Sequence, residues 1–198
     1  MCAARRWTVL LLGGASGVGK SQISRRLARH FDAEVTAVDD IYLALERMTT
    51  PEQYPEMHRW RLRPEEVLGF DDDRMLEHTL GCAAVVCEAM EPVIAEHLES
   101  SEAAVFDGDF LLPSLAARTS FDDVPADGRV GALFLLEDEE HLGTNFLARE
   151  GQEQVRRARA SWRYNEHLRV ECERLGIPAI AARPWETVFE RAIDVVSS

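Results

Sequence analysis

The stretch Gly13–Ser21 reads GGASGVGKS and directly follows the apolar run Trp7–Leu12, WTVLLL. It contains the pattern G-x-x-x-x-G-K-[ST] of a phosphate-binding loop. The eight residues of the pattern are Gly14, Ala15, Ser16, Gly17, Val18, Gly19, Lys20 and Ser21. Glycines allow positive φ and close backbone approach, so that the loop N–H groups can form a nest for phosphate oxygens. The pattern predicts a phosphate site between a buried strand and a helix.

Lys20 is the only lysine in a chain that has 21 arginines. A lysine is a compact charge on a flexible stem, which suits the outer phosphates of a nucleotide better than a planar guanidinium does. The alternative is a glycine-rich turn that matches the pattern by chance, and the position of the one lysine argues against it. We therefore interpret Lys20 as catalytic and Ser21 as a hydroxyl ligand for Mg²⁺.

The composition is that of a globular protein with an acidic surface. The 198 residues are 46% hydrophobic and carry a formal net charge of -13. Such a charge disfavours nucleic acid and anionic membrane surfaces as partners. No stretch of the sequence suggests a membrane span, and Cys2, Cys82, Cys87 and Cys172 have no metal or disulfide spacing. We expect a cytoplasmic protein with one domain over residues 1–198 and reduced, mostly buried cysteines. A homodimer is compatible with the sequence.

Apolar runs alternate with helical patterns along the chain, which predicts a parallel sheet with helices on both faces. The predicted strands are Trp7–Leu12, Glu34–Val38, Ala103–Phe106, Val130–Leu136 and Pro178–Ala181. Residues 49–64 contain three prolines and are predicted to be irregular. Residues 65–99 are predicted to be helical, with a break near Gly81.

Other phosphate-loop classes lack support in the sequence. With one lysine the chain has no N-K-x-D guanine motif, and D-x-x-G and LSGGQ-type motifs are absent too. The spelling GASGVGKS resembles the G-x-S-G-x-G-K-[ST] loop of gluconate, uridine and adenylylsulfate kinases. The order of elements resembles bacterial kinases of the chloramphenicol phosphotransferase, 2-phosphoglycerate kinase and zeta-toxin type.

This resemblance implies an α/β fold, a three-layer α/β/α P-loop NTPase with a five-stranded parallel sheet and a mobile helical lid. It implies ATP and Mg²⁺ as cofactors and a small-molecule hydroxyl as phosphate acceptor, in a metabolite, a sugar derivative or an antibiotic. Two alternatives stay open. One is a nucleoside or nucleoside-monophosphate kinase, and the other is a regulatory ATPase that has no small acceptor.

Carboxylates follow two of the predicted strands. Asp39 and Asp40 come after the second strand, and we interpret Asp39 as the base for an acceptor hydroxyl. Asp40 either caps the following helix or contacts the acceptor, and the roles of the two can be reversed. After the third strand, Asp107 is interpreted as a water-mediated Mg²⁺ contact and Asp109 as an acceptor contact. The alternative for this pair is ordinary turn chemistry at D-G.

Arginines supply the remaining candidates. The predicted lid spans about residues 139–163, with Arg149 beside a possible hinge at Gly151. Helical spacing places three further lid arginines on one face, Arg156, Arg159 and Arg163, with Arg156 assigned to the nucleotide. The alternative is a solvated face that pairs with glutamates. By resemblance Arg183 stacks on adenine, although it can also simply precede a helix.

An acceptor-side helical insert is predicted over about residues 41–100. If the segment HRWRLRP is extended, Arg59, Arg61 and Arg63 share one face, where Arg59 and Arg63 can hold an acidic acceptor beside Trp60. A solvated loop is the alternative for this segment. Glu88 is either an acceptor contact or a surface residue.

Overall fold

A five-stranded parallel sheet forms the centre of the molecule, with its strands in the order β2-β3-β1-β6-β7. A computed structural model describes residues 5–197, so Cys2 and the expectation for it lie outside the described residues. A separate two-stranded hairpin is formed by β4 and β5. The strands, in chain order, are β1 Val9–Gly13, β2 Glu34–Ala37, β3 Ala104–Asp107, β4 Ser120–Phe121, β5 Val124–Pro125, β6 Val130–Leu136 and β7 Ala179–Ala181.

Helices cover both faces of this sheet. They are α1 Lys20–Phe31, α2 Val38–Met48, α3 Pro55–Leu62, α4 Pro64–Leu68, α5 Asp72–Ser100, α6 Pro113–Ala116, α7 Glu139–Glu150, α8 Val155–Leu175 and α9 Val188–Val196, with a short 3₁₀ helix at Trp185–Thr187.

The central strand β1 explains the layers. All five of its residues are buried, and successive side chains point to opposite faces of the sheet. Leu10 and Leu12 belong to a core shared with α1, α7, α8 and α9. Val9 and Leu11 belong to a second core shared with α5 and α6. The predicted three-layer α/β/α fold with a five-stranded parallel sheet is therefore confirmed.

The prediction that residues 49–64 are irregular, which was based on their prolines, is wrong for much of the segment. The segment is not irregular throughout, because Pro55 begins α3 and Pro64 begins α4. Proline suits the first helical position, where its missing N–H would have had no partner inside the helix. The predicted break at Gly81 is also wrong, because α5 runs through both Gly81 and Pro92. The hairpin over residues 120–125 was not predicted.

Helix α5 is the one described helix that could cross a membrane by length and composition. It is longer than either of the two helices that the predicted break near Gly81 would have produced. Its residues Val86, Met90 and Ile94 are fully buried against Val9 and Leu11 of the central strand. This packing is that of a core helix in a layered fold.

Candidate active site

The phosphate loop connects β1 to α1 in the backbone conformation that its glycines permit. Gly17 has φ +89° and Gly19 has φ +91°, backbone values that residues other than glycine rarely adopt. A Cβ at Gly19 would lie 2.4 Å from the Trp185 ring, and a Cβ at Gly17 would lie 2.9 Å from the Phe146 ring. Aromatic side chains thus hold the outside of the loop, while its inside faces a cavity.

The predicted loop residues divide by role. Residues 16–21 line a cavity of about 600 Å³, called the loop cavity below. Gly14 and Ala15 do not line it, because Gly14 packs against the Leu135 carbonyl and Ala15 is fully buried. The buried side chain of Val18 leaves only its backbone for a ligand. The N-terminal end of α1 begins at Lys20 and adds its positive dipole end to this cavity.

Lys20 is a buried cation that lines the loop cavity, with 7% of its surface exposed. Its Nζ donates to the Ala15 carbonyl at 2.9 Å and to Asp109 Oδ1 at 2.6 Å. The first contact fixes the side chain across its own loop. The second joins the loop to the turn that follows β3. A phosphate that reached Lys20 would therefore meet a charge whose position is already set.

Strand register brings the predicted carboxylates to one edge of the sheet. Asp107 is paired with Leu12 of β1 and with Ala37 of β2, so the ends of three strands lie side by side. Asp107 is 4% exposed, and its Oδ2 accepts a hydrogen bond from Ser24 Oγ at 2.8 Å. Ser21 lines the loop cavity together with Asp107, as the prediction requires.

Asp39 lies one residue into α2, and its side chain lines the loop cavity. Much of the residue is open to solvent at the mouth of the crevice, yet the surrounding protein desolvates the carboxylate. This desolvation and the nearby charge of Asp109 raise the pKa of Asp39 above the ordinary aspartate value. Lys20 and the backbone N–H of Asp109 act in the opposite direction and do not cancel the rise. A raised pKa suits a proton acceptor.

Asp40 does not reach the site. The side chain is exposed and lines neither of the two cavities described here. No side chain caps the start of α2, whose N-cap position is Ala37. Neither of the alternatives for Asp40, helix cap or acceptor contact, is supported.

A network that the sequence did not indicate holds the far wall of the loop cavity. Asn145 of α7 donates to the Gly17 carbonyl at 2.9 Å, and Arg183 donates to Asn145 Oδ1 at 3.2 Å. Arg183 also donates to the buried Glu137 carboxylate at 3.0 Å. Arg149, predicted to be catalytic, and Arg183, predicted to contact the nucleotide, both line this cavity. The sequence spacing of 128 residues between Asn145 and Gly17 explains why no local pattern revealed the contact.

A second cavity of about 570 Å³ adjoins the first and is called the aromatic cavity below. Ser16 and Asp109 line both cavities. Apolar and aromatic side chains form much of its wall, namely Tyr42, Trp60, Leu68, Met75, Cys82, Phe110, Ala160 and Tyr164. Tyr164, which the sequence reading missed, donates to the Asp109 carbonyl at 2.7 Å and so holds the turn between the cavities.

The three lid arginines of α8, unlike Arg149, do not line the loop cavity. Arg156 lines the aromatic cavity instead of the loop cavity, and it donates to the carbonyls of Leu68 and Phe70. Arg159 pairs with Asp72 and Glu139, and Arg163 pairs with Asp73. The shared face of α8 is real, but it contacts the start of α5. The assignment of Arg156 to the nucleotide is therefore not supported by this structure.

The acceptor-side arginines also differ from the prediction. Because α3 is helical, Arg59, Arg61 and Arg63 do not form an extended stripe. Arg59 pairs with Glu56 and Glu66, and Arg63 pairs with Glu66. Neither lines the aromatic cavity, although Trp60 does. Glu88 is an exposed residue of α5 that lines neither cavity, which agrees with the surface alternative.

The polar groups that line the loop cavity fit a nucleoside triphosphate with Mg²⁺. Loop N–H groups, the end of α1 and the positioned Lys20 offer anion contacts. The Ser21 hydroxyl and the Asp107 carboxylate offer two oxygen ligands, the type that Mg²⁺ prefers. Mg²⁺ commonly keeps several waters and takes few protein ligands, so two are enough. A three-residue cluster of Glu137, Asp138 and His141 is also present, but Arg183 already pairs with Glu137.

Glu56 contacts Arg59, Arg74 and His78, of which His78 lines the aromatic cavity, and is expected to contribute strongly to stability. Burial alone would raise the pKa of Glu56, but hydrogen bonds from His78, Arg74 and Arg59 lower it to about 2. Because the pKa of Glu56 is lowered on folding, its ionised carboxylate stabilises the folded state at pH values above the ordinary glutamate pKa. This stabilisation is lost as the pH falls towards about 2. We expect Glu56→Gln to reduce the free energy of unfolding at neutral pH by about 2–3 kcal/mol, measured by urea denaturation.

The matched control is Glu66→Gln, which removes a more exposed partner of the same Arg59. Exposed pairs contribute about 1 kcal/mol or less, so this variant should be near wild type. The difference in the free energy of unfolding between Glu56→Gln and wild type should shrink as the pH falls below about 4. A Glu56→Gln effect no larger than that of Glu66→Gln at every pH would contradict this account.

The parallel sheet and the loop after its central strand define the α/β/α class of phosphate-loop proteins. The sequence matches no family model and no curated protein. The structure is similar to a gluconokinase from Sinorhizobium meliloti 1021, with TM-score 0.59 and 18% identity over 98% of this chain and 93% of that chain. A sugar kinase from Janibacter sp. HTCC2649 gives TM-score 0.58 and 16% identity over 96% and 94%. The shikimate kinase from Acinetobacter baumannii in complex with shikimate gives 0.55 and 13% over 96% and 90%.

Proposed function

We propose that the protein is an ATP-dependent phosphotransferase that moves the γ-phosphoryl group of ATP to a hydroxyl of a small molecule. The observation that carries the proposal is the junction of the two cavities at Ser16 and Asp109, with Lys20 and Asp39 beside it. Phosphoryl transfer between two substrates needs a phosphate site and an acceptor site that open onto one another. The loop cavity suits the first role and the aromatic cavity the second.

ATP would be held by the loop backbone of residues 16–21 and by Lys20, and Mg²⁺ by Ser21 and Asp107. When bound, they supply the transferable phosphoryl group and a divalent charge that neutralises it. Arg149 and Arg183 line the same cavity and add positive charge to its outer wall. The proposal places the enzyme in the cytoplasm, where ATP and Mg²⁺ are abundant.

The chain's own residues would then act by position and charge. Asp39 accepts the proton of the acceptor hydroxyl, because its carboxylate lies at the crevice and its pKa is raised. Lys20 stabilises negative charge on the phosphoryl oxygens from a fixed position. Asp109 holds Lys20 on the acceptor side, and Tyr164 holds the Asp109 backbone.

The likeness to structures described as gluconokinase, sugar kinase and shikimate kinase supports a small hydroxyl compound as acceptor. The aromatic cavity gives a nucleoside kinase some support as a second candidate, because a base can stack on aromatic side chains. An ATPase without an acceptor has no use for this cavity.

The test is ADP release with ATP and Mg²⁺ over a panel of hydroxylated compounds, with mass spectrometry of the products. We expect one compound class to stimulate ADP release and to gain a phosphoryl group, and nothing to do so with the Lys20→Ala variant. An ADP release rate that no hydroxyl compound changes would favour a regulatory ATPase. Phosphorylation of nucleosides alone would favour the second candidate.

Arg149 is expected to act on the departing phosphoryl group. It lies near the end of α7, beside the positive-φ Gly151, and lines the loop cavity with half of its side chain exposed. We expect Arg149→Ala to lower kcat by about tenfold or more, because this charge matters most in the transition state. The Kd for ATP, measured by calorimetry, should change only a few-fold.

The control for this variant is Arg169→Ala, which removes an exposed arginine of α8 that pairs with Glu166. It should leave both kcat and the Kd for ATP unchanged.

Hydrogen exchange would report on the lid, since residues 139–163 should exchange more slowly once a non-hydrolysable ATP analogue and acceptor are bound. Equal exchange in both states, with unchanged turnover for Arg149→Ala, would reduce this segment to a static helix pair.

A further inference from the structure

The aromatic cavity differs in chemistry from the site that a sugar acid needs. Tyr42 stacks on Phe110 with ring centroids 4.7 Å apart and an interplanar angle of 18°. Trp60 and Leu68 line the same cavity, as does Met75 on α5. Such walls favour a ligand that has apolar surface to bury.

The cationic side chains that line the aromatic cavity already have protein partners. Arg156 donates to two backbone carbonyls, and Arg157 pairs with Glu150 at 3.1 Å. His78 Nδ1 lies 2.7 Å from Glu56 Oε2. Both guanidinium groups are therefore engaged by protein oxygens, although the two carbonyl partners of Arg156 are uncharged. A carboxylate placed here would lose water and would have to compete with these protein oxygens for Arg156 or Arg157.

Two of the neutral polar side chains on the wall are also hydrogen-bonded within the protein. The Tyr42 hydroxyl donates to the Met57 carbonyl at 2.8 Å, and the Thr79 hydroxyl donates to the Met75 carbonyl at 2.9 Å. Burial raises the pKa of the Cys82 thiol to about 12, so this side chain is an uncharged wall at neutral pH. Of the other neutral polar side chains on the wall, Ser16 lies at the junction, so that Gln154 and Ser161 remain for the many hydroxyls of a polyol. Each hydroxyl left unmatched would disfavour binding.

We infer that the acceptor is an uncharged alcohol with an aromatic or otherwise apolar body, whose hydroxyl lies at the junction beside Asp39 and Asp109. The inference rests on the proposed function for the identity of the reaction. Its chemical class differs from gluconate and shikimate, the compounds that appear in the names of two similar structures. The body occupies the aromatic cavity, and the reacting hydroxyl points away from it towards Lys20.

Three matched probes separate charge from apolar body. 3-Phenylpropane-1,2-diol has a ring and no charge, 3-phenyllactate has the ring and a carboxylate, and glycerol has neither. Calorimetry is done on the full chain with Mg²⁺ and a non-hydrolysable ATP analogue. We expect the diol to bind about tenfold or more tightly than phenyllactate, and glycerol to show no binding at the same concentrations.

Two variants place the binding in this cavity. Ala160→Trp fills it from α8, and Ala84→Trp adds the same ring on the exposed face of α5 as a control. Trp60→Ala opens the wall, with Leu62→Ala of the same helix as its control. We expect Ala160→Trp to abolish diol binding and Trp60→Ala to weaken it several-fold, with ATP analogue affinity unchanged in all four variants.

The inference is overturned if phenyllactate or glycerol binds as tightly as the diol, if the diol does not bind, or if Ala160→Trp and Trp60→Ala leave its affinity unchanged. The proposed function fails separately. If the diol binds in the cavity but no hydroxyl compound yields a phosphorylated product, the inferred ligand class is retained and the proposed kinase activity is rejected. If gluconate is phosphorylated while the diol does not bind, the kinase stands and this inference does not.

Discussion

Replacing Lys20 by alanine is expected to lower phosphoryl transfer by about 10³-fold or more, which corresponds to about 4 kcal/mol of transition-state stabilisation. The physical reason is that Lys20 is a 7% exposed cation with its Nζ fixed between Ala15 and Asp109. No other lysine exists in the chain to take its place. The measurement is acceptor-dependent ADP release, together with the Kd of an ATP analogue by calorimetry.

Lys20→Arg is expected to fail almost as completely. A guanidinium has the charge, but it is wider than an ammonium group and presents its donors in a plane. The space between the Ala15 carbonyl and Asp109 Oδ1 is filled by a single nitrogen at 2.9 and 2.6 Å. The control is Arg25→Ala, an exposed cation on the same helix α1, which should keep full activity. Full activity of Lys20→Arg would show that the lysine is a compositional accident.

Much of the fold was predictable because its signals are local. A fully apolar run followed by a glycine-rich loop and a helical pattern specifies β1 and α1 within about twenty residues. Asp39 and Asp107, which line the same cavity, could be proposed from the sequence because each stands at or just after the end of a parallel strand, where the ligand crevice of such sheets lies. These inferences need only the periodicity of neighbouring residues and the geometry of a parallel sheet.

The rest of the site depends on contacts that no local pattern encodes. Tyr164 reaches the Asp109 backbone across 55 residues of sequence, and Arg156 reaches Leu68 across 88. Arg59 was misassigned because a stretch with three prolines was read as extended, although its prolines begin helices. In the helical α3, Arg59 pairs with Glu56 and does not line the aromatic cavity. The alternate spacing of its arginines therefore had no structural meaning.

Asp109 and Asp39 divide the roles that the sequence left open. Asp109 is bound to Lys20 at 2.6 Å, so its charge is already used to position a cation. Asp39 lines the same cavity at the end of β2, with its carboxylate beside the Asp109 N–H. We infer that Asp39 is the better placed proton acceptor of the two, since a carboxylate oxygen of Asp109 is already held by Lys20.

Asp39→Asn is accordingly expected to lower kcat by about 10²-fold or more, while the KM for ATP stays within a few-fold. The amide keeps the size of the side chain and cannot accept the proton of the acceptor hydroxyl. The measurement is steady-state kinetics with saturating acceptor. Asp40→Asn is the neighbouring control, because its exposed side chain lines neither cavity. It should behave as wild type.

The pH dependence gives the same assignment an independent test. Desolvation by the surrounding protein and the charge of Asp109 raise the pKa of Asp39, and only the ionised form can accept a proton. Activity should therefore fall as the pH drops through this pKa, at a higher pH than the value of about 3.9 for an exposed aspartate would give. In Asp39→Asn the remaining activity should lose this acid limb. If Asp39→Asn instead has wild-type turnover and an intact acid limb while Asp109→Asn is inactive, then Asp109 is the base. Asp39 would in that case only shape the electrostatic field around Lys20.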